Sequence, residues 1–149
     1  MWWQETEPPD GRFFYINMID QKSKIKDQKQ NSKLEVKYRA FYLSLDVIRF
    51  LAMLPYNQAL KIISAQLIRS LTSIGANIVE AKSSSSKREF LNYFQIALKS
   101  ANESKYWLAL LKELAPEHKD TISIFIQELE EISKIIGTSI LTMKGKTRL

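Results

Sequence analysis

The chain has 149 residues, of which 45% are hydrophobic, enough for one domain with a buried core. It contains no cysteine, which excludes disulfide frameworks, thiolate metal sites and cysteine nucleophiles. Its formal net charge of +6 permits an anionic partner such as nucleic acid but does not require one.

Neither the start of the chain nor its interior looks like a targeting or membrane segment. The N-terminal residues lack a basic segment followed by an apolar run of signal length. No stretch approaches the ~18 apolar residues of a membrane span. We therefore expect a soluble, unexported protein of the cytoplasm, with no membrane partner.

Residues 1–32 are predicted to form a disordered or weakly ordered extension. A turn-forming Pro-Pro-Asp-Gly sequence at residues 8–11 is followed by a polar tract. Acids and bases cancel over residues 1–30, with five of each, so the positive excess lies in the remainder. Residues 33–149 are predicted to be the folded domain.

Beyond the extension, apolar residues recur at steps of three and four, which predicts helices with one buried stripe each. The first helix should end near Leu54, because Pro55 disfavours helical backbone in the residue before it. Asn57 is a good N-cap for the second helix, which should run to about Lys82. The first predicted stripe is Leu34, Tyr38, Phe41, Leu45, Ile48 and Ala52. The second is Leu60, Ile63, Leu67, Leu71, Ile74 and Ile78.

The serine run at residues 83–86 is the predicted turn before the third helix. Ser86 and Glu89 match a capping box, in which each side chain satisfies a free backbone N–H at the helix start. Pro116 separates the third helix from the fourth. The third stripe is Phe90, Phe94, Ala97, Ala101, Ser104, Leu108 and Leu111. The fourth is Ile122, Phe125, Leu129, Ile132, Ile136, Ile140 and Met143.

Four helices joined by short turns return antiparallel to one another, so the predicted fold class is all-α, an up-down-up-down four-helix bundle. This topology gathers the starts of the first and third helices and the ends of the second and fourth at one end, which we call the basic pole. Its nine bases face three acids, Glu35, Glu80 and Glu89. The bases are Lys33, Lys37, Arg39, Lys82, Lys87, Arg88, Lys144, Lys146 and Arg148.

The basic pole has two interpretations. Concentrated cations suit contacts with a phosphate backbone, where binding releases counterions and depends on salt. Cations also complement the dipole at helix C-termini, which accounts for Lys82 and the bases after residue 143. The dipole does not account for Lys87 and Arg88, which are predicted at a helix start. Both interpretations stay open on this feature alone.

A polar row accompanies the apolar stripe of the second helix at the same spacing. Three interpretations compete: a structural polar layer, a subunit interface, and a ligand or catalytic site. Pairing of the second and third helices about residue 84 would bring Glu80 near Arg88, and Arg69 near Lys99 and Glu103, as ionic bridges that fix the register. The polar row, with its expected neighbours, comprises Gln66, Arg69, Ser70, Ser73, Asn77, Glu80 and Glu103.

Motifs for catalysis are missing from the sequence. The single histidine, His118, is expected to be a solvated turn residue, and no His–Glu pair has the spacing of a di-metal site. Neither a phosphate-binding loop nor a dinucleotide-binding glycine motif is present. We predict no catalytic residue, no metal, no cofactor and no small-molecule substrate. Aromatic residues beside the stripes, among them Tyr106 and Trp107, favour a protein contact over base stacking.

The segment from Gln66 to Leu114 resembles the 23S rRNA intervening-sequence protein family, also called the S23 or four-helix bundle protein family. The likeness is carried by R-S-x-x-S-I-x-A-N-I-x-E at residues 69–80, then by E-F, I-A and S-x-x-E at residues 89–90, 96–97 and 100–103. A weaker likeness extends over residues 38–143. Ala81 and Lys99 stand where the family usually has glycine.

This resemblance implies small bacterial proteins encoded within large-subunit ribosomal RNA genes, forming pentamer-like rings. A related branch, the accessory proteins of diversity-generating retroelements, implies basic bundles that bind a reverse transcriptase and its RNA. The predicted function is therefore a non-catalytic homo-oligomer that associates with RNA through the basic pole. The alternative is an adaptor that binds a reverse transcriptase.

Overall fold

The computed structural model describes residues 35–145. Over this range it contains four α-helices and one 3-10 turn, and no strand, which confirms the predicted all-α bundle. The helices are α1 (Val36–Met53), α2 (Gln58–Lys82), α3 (Lys87–Leu114) and α4 (Lys119–Met143), with the 3-10 turn at Pro116–His118 before α4. Residues 1–34 and 146–149 lie outside the described residues, so the division into an extension and a domain stays a prediction.

The helix boundaries follow the local signals in the sequence. α1 ends at Met53, two residues before Pro55. Asn57 caps α2, because its Oδ1 accepts the N–H groups of Ala59 at 2.9 Å and Leu60 at 3.3 Å. At the start of α3 the capping box forms only in part.

Ser86 caps α3 as predicted, since its Oγ accepts the Glu89 N–H at 3.1 Å. The Glu89 carboxylate, however, accepts the N–H and hydroxyl of Ser85, at 2.8 and 2.9 Å, and not the N–H of Ser86. These hydrogen bonds lower the pKa of Glu89. The carboxylate therefore stabilises the serine turn one residue before the helix cap.

The predicted stripes of α2, α3 and α4 form most of the core. Each helix packs against its two neighbours in the order α1, α2, α3, α4 and back to α1, and the contact between α2 and α3 is the most extensive. This order is that of an up-down-up-down bundle. The buried stripe residues are Leu67, Leu71, Ile74, Ile78, Phe94, Ala97, Ala101, Ser104, Leu108, Leu111, Ile122, Phe125, Leu129, Ile132, Ile136 and Ile140.

The predicted stripe of α1 is wrong. Phe41 and Ile48 keep 40% and 36% of their surface exposed, and Ala52 is exposed as well. The core face instead carries Ala40, Leu43, Val47, Phe50 and Leu51. α1 is apolar on two faces, and periodicity alone does not decide which of them turns inward. The charged residues Arg39 and Asp46, which are buried, made the true core side look polar.

Candidate functional site

Four bases of the basic pole are exposed: Lys82 at the end of α2, Lys87 and Arg88 at the start of α3, and Lys144 after α4. Lys87, Arg88 and Lys144 line one open groove of about 970 Å³. The start of α3 and the end of α4 therefore meet as the topology predicts. We call this the basic groove, and its lining is Ser86, Lys87, Arg88, Glu89, Leu91, Asn92, Gln95 and Lys144.

The basic groove has the chemistry of an anion contact. Within residues 35–145, Lys87, Arg88 and Lys144 take part in no ion pair, so their charges are directed to solvent. Its one acid, Glu89, already accepts two hydrogen bonds from Ser85. The amides of Asn92 and Gln95 add neutral donors and acceptors on the same side of α3.

Lys37 lies at the margin of the basic pole. Its side chain is only 21% exposed, its Nζ lies 3.8 Å from a Glu35 oxygen, and it is 4.7 Å from the centre of the Tyr38 ring. Ser44 Oγ lies 3.4 Å from the Leu71 carbonyl oxygen, so α1 packs beside the middle of α2. Lys37 therefore lies about one turn short of the end of α2.

Arg39 does not belong to the basic pole, and its assignment to an RNA-binding set is wrong. The residue is 7% exposed, and its Nε and Nη2 donate to the two carboxylate oxygens of Glu128 at 2.8 and 2.9 Å. This bidentate ion pair joins α1 to α4 across 89 residues of sequence. Three other predicted members, Lys33, Lys146 and Arg148, lie outside the described residues.

The polar row on α2 pairs with α3 through hydroxyl groups. Ser70 and Ser104 are hydrogen-bonded with their oxygens 2.8 Å apart, and Ser73 and Ser100 with theirs 2.9 Å apart. Asn77 Nδ2 donates to the carbonyl and hydroxyl oxygens of Ser73 at 2.7 and 3.0 Å. These contacts support the interpretation of the inner part of the row as a structural polar layer.

The ionic bridges predicted between α2 and α3 do not form. Among the described residues no ion pair joins these two helices, and Arg69 and Glu80 are exposed. The midpoint of the residue numbers in each serine pair is near 87, whereas the predicted pairing had its midpoint at 84. Glu80 therefore lies opposite the residues just before Phe94 and away from Arg88. Glu103 accepts the indole N–H of Trp107, one turn along its own helix, at 3.1 Å.

The charged and amide side chains of the row lie away from two open grooves in the described part of the bundle. Neither the basic groove nor the groove at the α1–α2 turn is lined by Arg69, Asn77, Glu80 or Glu103. In the described part of the chain no group of three or more histidines and acids is placed to hold a metal ion. His118 lies in the turn before α4, with its ring edge-to-face to Phe50 at 5.4 Å.

Sequence reasoning missed a buried charged cluster between α1 and α4, formed by Arg39, Asp46 and Glu128. Asp46 is only 3% exposed. Burial raises the pKa of Asp46 to about 7, with Arg49 opposing and Glu128 reinforcing the shift. The only signal in the sequence is that Arg39 and Asp46 are seven residues apart, which places them on one side of α1. This spacing becomes informative once the core face of α1 is known.

Two comparisons relate this chain to known proteins. The family model described as 23S rRNA-intervening sequence protein matches residues 32–138. A crystal structure of a protein of unknown function from the S23 ribosomal protein family of Bacteroides thetaiotaomicron is similar to it, with a TM-score of 0.66 and 34% identity. That match covers 71% of this chain and 98% of the other. No curated protein matches.

Proposed function

Because this chain belongs to the 23S rRNA-intervening sequence protein family, we propose that it is a non-catalytic, homo-oligomeric bundle that associates with RNA in the cytoplasm through its basic groove. One observation carries the proposal: three cations, two from the first turn of α3 and one just after α4, line one open groove, and none of them is used in an ion pair within residues 35–145.

The placement of the cations favours a ligand over a merely solvated surface. Lys87 and Arg88 occupy the first turn of α3, where the helix dipole disfavours positive charge by a few tenths of a kcal/mol. An RNA phosphate offsets that cost and also meets the free backbone N–H groups of the first turn. Asn92 and Gln95 lie where a sugar or base edge would follow the phosphate.

A single copy would bind RNA weakly. The four exposed bases of the basic pole, each neutralising one phosphate of a single strand, give a slope of about −3 for log affinity against log salt. Copies held in one assembly multiply such contacts through a raised effective concentration. Homo-oligomerisation is therefore part of the proposed function, because one basic groove alone offers few contacts.

The test compares two double variants that remove the same charge. Lys87→Ala with Arg88→Ala changes the basic groove, while Lys61→Ala with Lys119→Ala changes exposed lysines at the opposite pole. Affinity for a mixed-sequence RNA oligonucleotide is measured by fluorescence anisotropy over a salt series. We expect the groove variant to lose tenfold or more in affinity, and its slope of log affinity against log salt to become shallower by about one to two. The control should stay close to the unmodified protein in both. Equal losses, or binding that does not depend on salt, would overturn the proposal.

An adaptor for a reverse transcriptase is the second candidate. Tyr106 is 58% exposed and packs edge-to-face against Trp107 at 5.0 Å, a paired aromatic surface of the kind enriched in protein contacts. This function predicts a reverse-transcriptase gene beside the gene for this chain. It also predicts that Tyr106→Ala weakens co-purification with that enzyme while RNA affinity is unchanged; a gene lying within an rRNA gene would argue against it.

A further inference from the structure

Two amide side chains that line the basic groove are not used by the fold. Asn92 is exposed and Gln95 is half-buried, and within the described residues neither side chain takes part in a hydrogen bond. Asn57 and Asn77, in contrast, are both used, the first as the cap of α2 and the second in the polar row. The groove therefore presents amide groups that are available to a ligand.

The chemistry of the basic groove changes along α3. Lys87 and Arg88 lie in the first turn of the helix, and Leu91 lies one turn after Lys87. Asn92 and Gln95 lie one and two turns after Arg88. At a rise of 1.5 Å per residue, Gln95 is about 11 Å from Arg88 along the helix axis. A ligand that fills the groove therefore meets positive charge at one end and neutral donors and acceptors at the other.

Lys144 completes the groove from the side of α4. The ion pair between Lys105 and Glu130, with Nζ and Oε1 3.4 Å apart, indicates the register of α3 against α4. In this antiparallel register Lys144 is about level with Leu91. The three cations therefore serve the part of the groove up to Leu91, and Gln95 lies one turn beyond them.

We propose that the basic groove binds single-stranded RNA whose bases are unpaired. Lys87, Arg88 and Lys144 hold phosphates of the strand, and the amides of Asn92 and Gln95 bind the edge of a base. The inference rests on the proposed RNA function and narrows the ligand from RNA in general to a strand with free bases.

The amides match a base better than they match a phosphate. Each amide offers a donor and an acceptor side by side, whereas a phosphate oxygen only accepts. Phosphates alone would leave the carbonyl oxygens of Asn92 and Gln95 unused. A base edge carries donors and acceptors together, and Asn or Gln can bind adenine through both. Leu91, the apolar member of the lining, can pack against the face of that base.

Duplex RNA fits these contacts less well. Its base edges lie in a deep, narrow major groove that side chains cannot read, so a protein surface meets mainly phosphates and 2′-hydroxyls. Electrostatics alone would favour the duplex, because each phosphate contact with a duplex releases more counterions than one with a single strand. A preference for the single strand would therefore come from the neutral residues of the groove and not from its charge.

The first test compares forms of RNA at one salt concentration. Fluorescence anisotropy gives the affinity of the full chain for a mixed-sequence strand of about 12 nucleotides, for the same strand paired with its complement, and for a strand of equal length without bases. We expect the single strand to bind about tenfold more tightly than either of the others. A duplex or a strand without bases that binds as tightly as the single strand would overturn the inference.

The second test assigns the preference to the two amides. Asn92→Ala with Gln95→Ala is compared with Asn102→Ala with Gln58→Ala, which removes two exposed amides outside the basic groove. We expect the groove variant to lose about tenfold in affinity for the single strand, and its slope against salt to stay the same because no charge is removed. On the strand without bases it should match the unmodified protein. Circular dichroism checks the fold of both variants. Equal losses in the two variants, or a loss on the strand without bases, would refute the base contact.

The outcomes separate this inference from the RNA function on which it rests. Salt-dependent binding that is equal for single strand and duplex leaves the RNA function standing and removes only the inference. No RNA affinity, or affinity that does not depend on salt, removes both. Poly-glutamate that displaces the strand as effectively as unlabelled RNA would assign the groove to an acidic protein segment and would also overturn both.

Discussion

Replacing Asp46 by asparagine should make the chain less sensitive to pH. The pKa of Asp46 is raised by burial from 3.8 to about 7, so the folded state holds a proton that the unfolded chain releases. The contribution of Asp46 to the free energy of unfolding is fully present below about pH 4 and is lost as the pH rises towards 7. A pKa that moves from 3.8 to about 7 on folding corresponds to about 4 kcal/mol of unfolding free energy lost across that window.

The asparagine side chain has nearly the same shape as the aspartic acid but no proton to lose in this range. At pH 8 we expect the Asp46→Asn variant to be more stable than the unmodified protein by about 2 to 4 kcal/mol, and at pH 4 equal to it or slightly less stable. Urea denaturation followed by circular dichroism at pH 4, 6 and 8 measures the difference.

Some other carboxylates make the protein less stable as the pH falls, which is opposite to the effect of Asp46. The informative quantity is therefore the difference in unfolding free energy between Asp46→Asn and the unmodified protein. The pKa values of Glu89 and Glu131 are lowered by hydrogen bonds, so their stabilising effect is lost as the pH falls through those values. Both groups remain in the variant. Asp120→Asn, an exposed carboxylate in the first turn of α4, serves as the control. If Asp46→Asn and the unmodified protein give parallel curves between pH 4 and 8, the reasoning about Asp46 is wrong.

Three further changes test the packing. Arg39→Ala should cost about 3 to 5 kcal/mol, because it leaves the Glu128 carboxylate half-buried without its bidentate partner, and Arg39→Met with Glu128→Leu should recover most of the loss in urea melts. Ser70→Ala and Ser104→Ala should show a coupling of about 1 kcal/mol in a double-mutant cycle, and additive losses would mean that the hydroxyls do not act together. Asn57→Ala should cost about 1 kcal/mol by removing the α2 cap, with Asn102→Ala, on the exposed side of α3, as a silent control.

Local features of the fold could be predicted from sequence, because each depends on a few neighbouring residues. Asn57 and Ser86 cap their helices through backbone groups two or three residues away. Most of the predicted stripe residues of α2, α3 and α4 are buried. For these helices, the period of the apolar residues was enough to indicate the buried face.

Features that depend on distant residues could not be predicted. The inward face of α1 is fixed partly by Glu128, which lies 89 residues from Arg39. The register of α2 against α3 differs from the prediction by about six residues, because the hydroxyl pairs of serines, not charges, join the two helices. The basic groove could be predicted in outline, since topology alone brings Lys144 to the start of α3.

The bond between Arg39 and Glu128 also bears on how the chain folds during synthesis. Contacts of α2 with α3, and of α3 with α4, form between consecutive segments, so they can develop as each helix leaves the ribosome. Of the four described helices α1 is made first, but the guanidinium of Arg39 does not meet its Glu128 acceptor until residue 128 has emerged. The first of these helices to be synthesised should therefore be completed last, and the bundle should close only after residue 128 has been translated.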